Sequence, residues 1–401
     1  MSEIRPGYKQ TEVGVIPEDW EVERVGDAFE VCDQFRMPIS RDNRKNMEGL
    51  YPYYGPTSVQ GYINEYRVEG EYALIGEDGD HFLKWRYQKM TLLVNGKFNV
   101  NNHAHLIKGV KNLTSWVYYY FMHRDLTPHL KRQGAGRYKL NKATLMSLPC
   151  ALPPTLAEQT AITAVLSDTD ALIQIMDQLI AKKRNINQGT MQELLTGKRR
   201  LPGFSGAWEV KKLGEVADID SDNLGSTTDP GYVFKYISLE GVDNGILKTY
   251  SEQEFQYAPS RARRKIKRGD ILVSTVRPNL KSHMCFSLDS PNWICSTGFS
   301  VVRCNVGQVN SDYIFQHFFA DTISNQIDTL LTGSNYPAIN SKDVRDLRIL
   351  LPPTLAEQTA IATVLSDMDA EIVVLEQKRD KYKAVKQGMM QVLLTGKVRL
   401  V

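Results

Sequence analysis

No stretch of this 401-residue chain approaches the roughly 18 uninterrupted apolar residues of a membrane span, and its opening MSEIRPGYKQTEVG lacks an apolar export core. Those absences predict a cytoplasmic protein. The cysteines, Cys32, Cys150, Cys285, Cys295 and Cys304, are odd in number and scattered without a CxxC pair, which argues against a disulfide framework. Cys285, Cys295 and Cys304 with His283 do not have the spacing of a zinc site. The chain also lacks an Asp/Asn/Ser-Pro-Pro-Tyr/Phe box for amino-methylation of a base and a glycine-rich cofactor loop after a strand. It has no GxxxxGKS/T loop either, because the Gly-Lys pairs at 96, 197 and 396 have no upstream glycine. The acidic GEDGDH at 76–81, with the HxH of His103 and His105, lacks the placed carboxylates of a metal site. Glu209-Val210-Lys211 lacks the paired acid of a nuclease. No catalytic residue and no metal ligand is assigned, and a net charge of +3 says little about partners.

What is present is repetition. LPPTLAEQTAI occurs at 152–162 and again at 351–361, and LLTGK at 194–198 and 393–397, at a constant offset of 199 residues. Each copy predicts a long helix. Pro153-Pro154 and Pro352-Pro353 cannot lie inside one, Thr155 with Glu158 and Thr354 with Glu357 have capping-box spacing, and no proline follows. Val165, Leu172, Leu179 and Ile186 recur every seven residues, as do Met368, Leu375, Tyr382 and Met389, which predicts a coiled-coil seam between the two copies, running antiparallel. Lys183, Arg379 and Lys386 interrupt it. Two independent amphipathic helices are the other reading.

The globular segments repeat too. IPEDWEVERVGD at 16–27 matches FSGAWEVKKLGE at 204–215, and the segments also close alike, while their middles diverge. This divides the chain into 1–150, a spacer helix 151–200, 201–350 and a second spacer helix 351–401, with approximate two-fold, circular symmetry. Alternating runs such as YALIGEDG, MTLLVNGKFNV, DILVSTV and GFSVVRC predict short strands, and SWVYYYFMHRDL at 115–126 and SDYIFQHFFADTI at 311–323 predict helices capped by Ser115 and Ser311. The fold class is α+β. From Lys84 to Lys142 there are 12 Lys or Arg against Asp125 alone, and from Arg261 to His283 there are 8 against Asp270. Lys and Arg neutralise phosphates, and Arg and Asn read base edges. The DNA-binding candidates are therefore Lys97, Asn99, Asn101, Asn102, His103 and His105 in the first segment. Those in the second are Arg261, Arg263, Arg264, Arg277, Asn279 and Lys281. The glycine-flanked loops add Arg137, Tyr138, Lys139, Asn335 and Tyr336. A solvated basic face is the bland alternative.

On its PEDWEV opening, its NVNNHAHL stretch and its doubled LPP…EQ helices ending in LLTGK, the whole chain resembles the specificity subunit of type I restriction-modification systems. The resemblance implies two target-recognition domains, each reading half of a split, asymmetric DNA sequence, with the helices as spacer and docking surface. It implies double-stranded DNA, modification subunits and restriction subunits as partners. The cofactors S-adenosylmethionine, ATP and magnesium would sit on those partners and none on this chain. Two alternatives are a stand-alone DNA-modifying enzyme and a coiled-coil scaffold that binds no DNA.

Overall fold

The computed structural model describes residues 4–133, 137–331 and 337–400. The chain forms two compact units, Met1–Asp177 with Gln377–Val401, and Gln178–Glu376. The spacer helices are thus not separate segments. Each is divided between the units, because its apolar residues belong to two cores: Ile162, Leu166, Met390, Leu393 and Leu394 join the core of the first unit, and Met191, Leu194, Ile361 and Leu365 that of the second. No helix among the described residues is long and apolar enough to cross a membrane.

In the first unit one four-stranded sheet has the order Val59–Ile63, Glu48–Tyr54, Lys97–Val100, Val68–Glu69, with a parallel pair at its centre. The other is antiparallel, in the order Phe29–Val31, Ala104–Gly109, Tyr72–Gly76, Thr91–Val94. The second unit repeats both orders. One sheet is Ser251–Glu254, Val233–Ile237, Trp293–Ser296, Ala262–Ile266, again with a parallel central pair, and the other is Ala217–Ile219, Phe299–Cys304, Ile271–Ser274, Met284–Cys285. Divergent middles therefore fold alike. A strand pair closes each unit, Glu21–Arg24 with Pro149–Leu152 and Glu209–Lys212 with Arg348–Leu351.

The module helices differ from expectation in their ends. The first spans Thr114–Met122, with no side-chain cap from Ser115. The second splits into Ser311–His317, capped by Asn310 rather than Ser311, and Asp321–Leu330. Trp116 Nε1 donates to the Ala151 carbonyl at 3.0 Å, and Tyr313 Oη donates to the Leu350 carbonyl at 2.7 Å, so each helix is pinned to its closing strand.

The long helices run Leu156–Leu195 and Leu355–Leu393, and within each unit their halves pack antiparallel. In the first unit Lys386 meets Asp170 at 2.6 Å and Arg379 meets Asp177 at 3.3 Å. In the second unit Asn187 donates to Asp369 at 2.6 Å and Lys183 meets Glu371 at 2.8 Å. The charges that interrupt the pattern thus each find an acid across the seam. The seam itself corrects one expectation. Val165, Leu172, Leu179 and Ile186 are between 36 % and 45 % exposed, and the buried column lies one residue on, at Leu166, Ile173, Ile180 and Asn187. Both columns are aliphatic at their first three seven-residue positions, and Ile186 against Asn187 at the fourth made the wrong one look better. Met368, Leu375, Tyr382 and Met389 are half-buried, on the seam side of the second helix.

The capping-box expectation holds by half. The amides of Glu158 and Glu357 donate to Thr155 and Thr354 Oγ1, each at 3.2 Å. Their carboxylates do not return to the cap. Glu357, fully buried, takes a bidentate pair from Arg200 at 2.9 and 2.6 Å, and Glu158 takes the equivalent pair from Arg399. The neighbouring glutamines hold the module helices: Gln159 Oε1 accepts from the Leu113 amide at 3.0 Å and Gln358 Oε1 from the Asn310 amide at 2.9 Å. Each repeated motif therefore closes its unit against the tail of the other repeat.

Candidate nucleic-acid interface

In the first unit the central parallel strands end at Tyr54 and Val100, on the side where Tyr72–Gly76 runs out into Glu77–Asp80. A cleft of about 470 Å³ opens there, lined by Ser40, Arg44, Tyr53, Gln60, Asn102 and His103 among others. Tyr53 Oη accepts from the Ile39 amide at 3.0 Å and donates to the Met37 carbonyl at 2.7 Å, and its ring carries the Arg44 guanidinium at 4.8 Å. His103 Nδ1 lies 3.1 Å from Asp78, and Lys139 Nζ lies 3.3 Å from Glu77. A bridge between Asp78 and Lys139 places the strand Arg137–Lys139 beside this loop, with Tyr138 half-buried.

Three candidates are bonded into the framework. Asn99, fully buried, donates to the Glu65 carbonyl at 2.7 Å. Asn101 donates to Gln60 Oε1 at 3.1 Å and accepts from the His103 amide at 2.8 Å, which shapes the turn. His105, also fully buried, has Nδ1 at 2.7 Å from Asp33 and Nε2 at 2.7 Å from the Leu140 carbonyl. Asn99 and His105 lie in strands buried on both faces, which closes them off, whereas Asn101 also lines the cleft. Lys97 lies at the far end of its strand, its ammonium 4.6 Å from the Tyr66 ring centroid, and does not join the cleft. Sequence reading missed Arg44, which lines the cleft, although residues 36–45 hold four bases against Asp42 alone; Arg36 of the same run is held by Glu77 at 2.6 Å and Asp33 at 3.4 Å. The helix Arg41–Lys45, capped by Ser40, sets part of this run beside the cleft.

The second unit has its cleft at the same strand ends, about 790 Å³, with Arg261, Arg277, Glu240, Asp243 and Ser282 among its lining. Arg261 precedes the strand that pairs with Trp293–Ser296, and Arg277 follows Ile271–Ser274. Arg277 (φ 49°, ψ 52°) and Lys281 (φ 54°, ψ 34°) both adopt the left-handed conformation that non-glycine residues avoid, flanking the turn Pro278–Leu280. The Arg277 amide donates to the Pro337 carbonyl at 2.8 Å, which helps hold this turn in place. Under it, His283 Nδ1 accepts from the Ser274 amide at 3.1 Å, and burial, then the Lys281 charge, pushes the imidazole down to about 3. Asn279 is exposed.

Here too some candidates brace the fold. Arg264 is half-buried against Asp220, and Lys281 Nζ donates to the Phe319 carbonyl at 3.1 Å. Arg263 donates to the Ala262 carbonyl at 2.8 Å, with its guanidinium 4.8 Å from the Phe255 ring centroid. Asn335 and Tyr336 lie outside the described residues, as does the side chain of Arg137. Cys285 and Cys304 are pushed up to about 12 by burial, and Cys295 higher still, so these thiols stay protonated at neutral pH.

The two clefts are topologically one place. The Leu140 amide donates to the Glu77 carbonyl at 2.7 Å and the Ile339 amide to the Thr275 carbonyl at 3.0 Å, so in each unit the segment after the glycine loop fastens to the same strand end. The side chains presented there differ: Arg44, Asn102 and His103 in one, Arg261 and Arg277 in the other.

This duplicated frame with divergent tips has known counterparts. The chain is 25 % identical to the type I restriction enzyme MjaVIII specificity subunit of Methanocaldococcus jannaschii, over 96 % of this chain and 94 % of that one. It is 26 % identical to a protein of the same organism named "Putative type I restriction enzyme MjaX specificity subunit", over 98 % and 97 %. The crystal structure of a type I restriction-modification S subunit from M. genitalium shares the fold, with a TM-score of 0.62 at 13 % identity over 97 % of this chain and 98 % of that one. The family model for the type I restriction modification DNA specificity domain matches twice, at residues 17–182 and 206–383, and the chain therefore belongs to that family.

Proposed function

We propose that this chain is the non-catalytic DNA-recognition subunit of a type I restriction-modification complex, each unit reading one half of a bipartite, asymmetric duplex target. One observation carries this reading: two units of identical sheet topology offer chemically different side chains at the same strand-end cleft. A shared frame with different tips suits two different half-sites. The long helices set the spacing of the half-sites and dock the modification subunits, with exposed apolar residues available on each unit's helix half, Val165 and Leu172 in the first and Leu179 and Ile186 in the second. S-adenosylmethionine for methylation, and ATP and magnesium for translocation and cleavage, belong to the partner subunits. The complex acts on cytoplasmic DNA.

The test is methylome sequencing of a host without other methylases, expressing this chain with and without its cognate modification subunit. A split adenine-methylated motif that needs both supports the reading. Methylation by this chain alone would make it a DNA-modifying enzyme. No methylation from an intact complex would make it a scaffold. Within the motif, Asn102→Ala and Arg277→Ala each relax a different half, and equal loss at both halves would mark them as phosphate contacts.

A further inference from the structure

The units differ beside the module helix. Their helices are in register: Trp116 and Tyr313 make the same bond to the closing strand, and Tyr119 and Gln316 donate to Asp170 and Asp369 at 3.1 and 3.3 Å. Arg124 therefore stands where the second unit has Asp321. At that point the second unit grows the extra helix Asp321–Leu330, with Ile323 and Ile327 buried in the same core as Met191 and Leu195. Gln188 Nε2 donates to Asp321 Oδ1 at 3.3 Å, and Gln192 Nε2 is buried. The first unit turns away into the short Thr127–His129 instead.

That leaves a groove of about 420 Å³ in the first unit, lined by Trp85, Tyr120, Met390 and Leu394 and rimmed by Arg124, Asp125 and Lys397. Gln387 and Gln391, the equivalents of Gln188 and Gln192 at the repeat offset, line it and are exposed. We infer that this groove receives an acidic amphipathic helix from another protein, seated as Asp321–Leu330 sits in the second unit. Such a helix presents two aliphatic side chains four residues apart and an acid in its first turn. On balance the charges match: Asp321–Leu330 carries Asp321 and Asp328 and no base, and the groove rim carries Arg124 and Lys397 against Asp125, whose Oδ1 accepts from the Thr127 amide and hydroxyl. A second copy of this chain is a poor donor, because its own helix buries Ile323 and Ile327 in place.

The probe is a fluorescent peptide of residues 319–331, FADTISNQIDTLL, stapled between Asn325 and Thr329 on its exposed side so that the helix forms in isolation. It should bind the full chain. Replacing Ile323 and Ile327 in the peptide by Ser, or placing Gln387→Glu with Gln391→Glu in the chain, should each weaken binding at least about tenfold. The exposed Glu substitutions should leave the unfolding curve unchanged. No binding by the stapled peptide, or binding indifferent to either change, overturns the inference. Self-association of the chain that the Glu pair abolishes would overturn it in favour of a second copy.

Discussion

Arg200 offers the sharpest test of how the second unit closes. Glu357 is fully buried, and Arg200 supplies its bidentate partner while also donating to the Gly206 carbonyl at 2.6 Å, with its guanidinium 5.9 Å from the Trp208 ring centroid. Arg200→Met keeps the aliphatic stem and leaves a carboxylate without its counter-charge in a dry site. Stripping one partner from a buried pair costs about 3–5 kcal/mol. Removing both, as in Arg200→Met with Glu357→Leu, should recover most of that, because desolvation of the pair is itself expensive. Arg200→Lys should still be costly, because an ammonium cannot form the fork. The readout is amide hydrogen exchange at Glu209–Lys212 and Arg348–Leu351, compared with Glu21–Arg24 and Pro149–Leu152. The first strand pair should lose protection in the single variant and regain it in the double one, while the second stays unchanged. A loss below about 1 kcal/mol, or a double variant no better than the single, would refute the clamp.

Acid should weaken the second unit before carboxylates titrate. Burial depresses His283 to about 3 and His317 to about 4 from 6.5, so below 6.5 the unfolded chain binds more protons and stability falls with pH until the folded values are reached. The slope is on the order of 1 kcal/mol per pH unit per histidine, and His283→Gln, which can still accept from Ser274, should remove about half of it. An unchanged slope in that variant would assign the loss elsewhere. Arg277→Gly keeps the left-handed backbone of the turn without its steric cost. It should nonetheless impair one half of the DNA target, and intact recognition would exclude Arg277 as a contact. Deleting one matched heptad, about 10 Å of rise, from both long helices should shorten the spacer of the methylated motif by a few base pairs and leave both halves unchanged. A constant spacer would refute the ruler.

Much of the frame was legible because it is local and repeated. The double prolines, the heptads and the 199-residue offset report helices and duplication directly, since each follows from the chemistry of neighbouring residues. The alternating runs placed the strands for the same reason. The candidate site was less legible. Asn99, Asn101 and His105 look like base readers in sequence, and whether a polar side chain faces water or a buried carbonyl depends on partners such as Glu65, Gln60 and Asp33, far along the chain.

By itself, then, the sequence determined that this protein is two α+β modules with two long helices and no recognisable catalytic motif. Tertiary structure alone decided which apolar column forms the seam, that Glu158 and Glu357 clamp Arg399 and Arg200 rather than cap their own helices, and which basic residues reach a cleft. The reason is common to all three. Periodicity and composition are properties of a segment, whereas burial and pairing are set by groups tens to hundreds of residues apart that only the folded chain brings within reach.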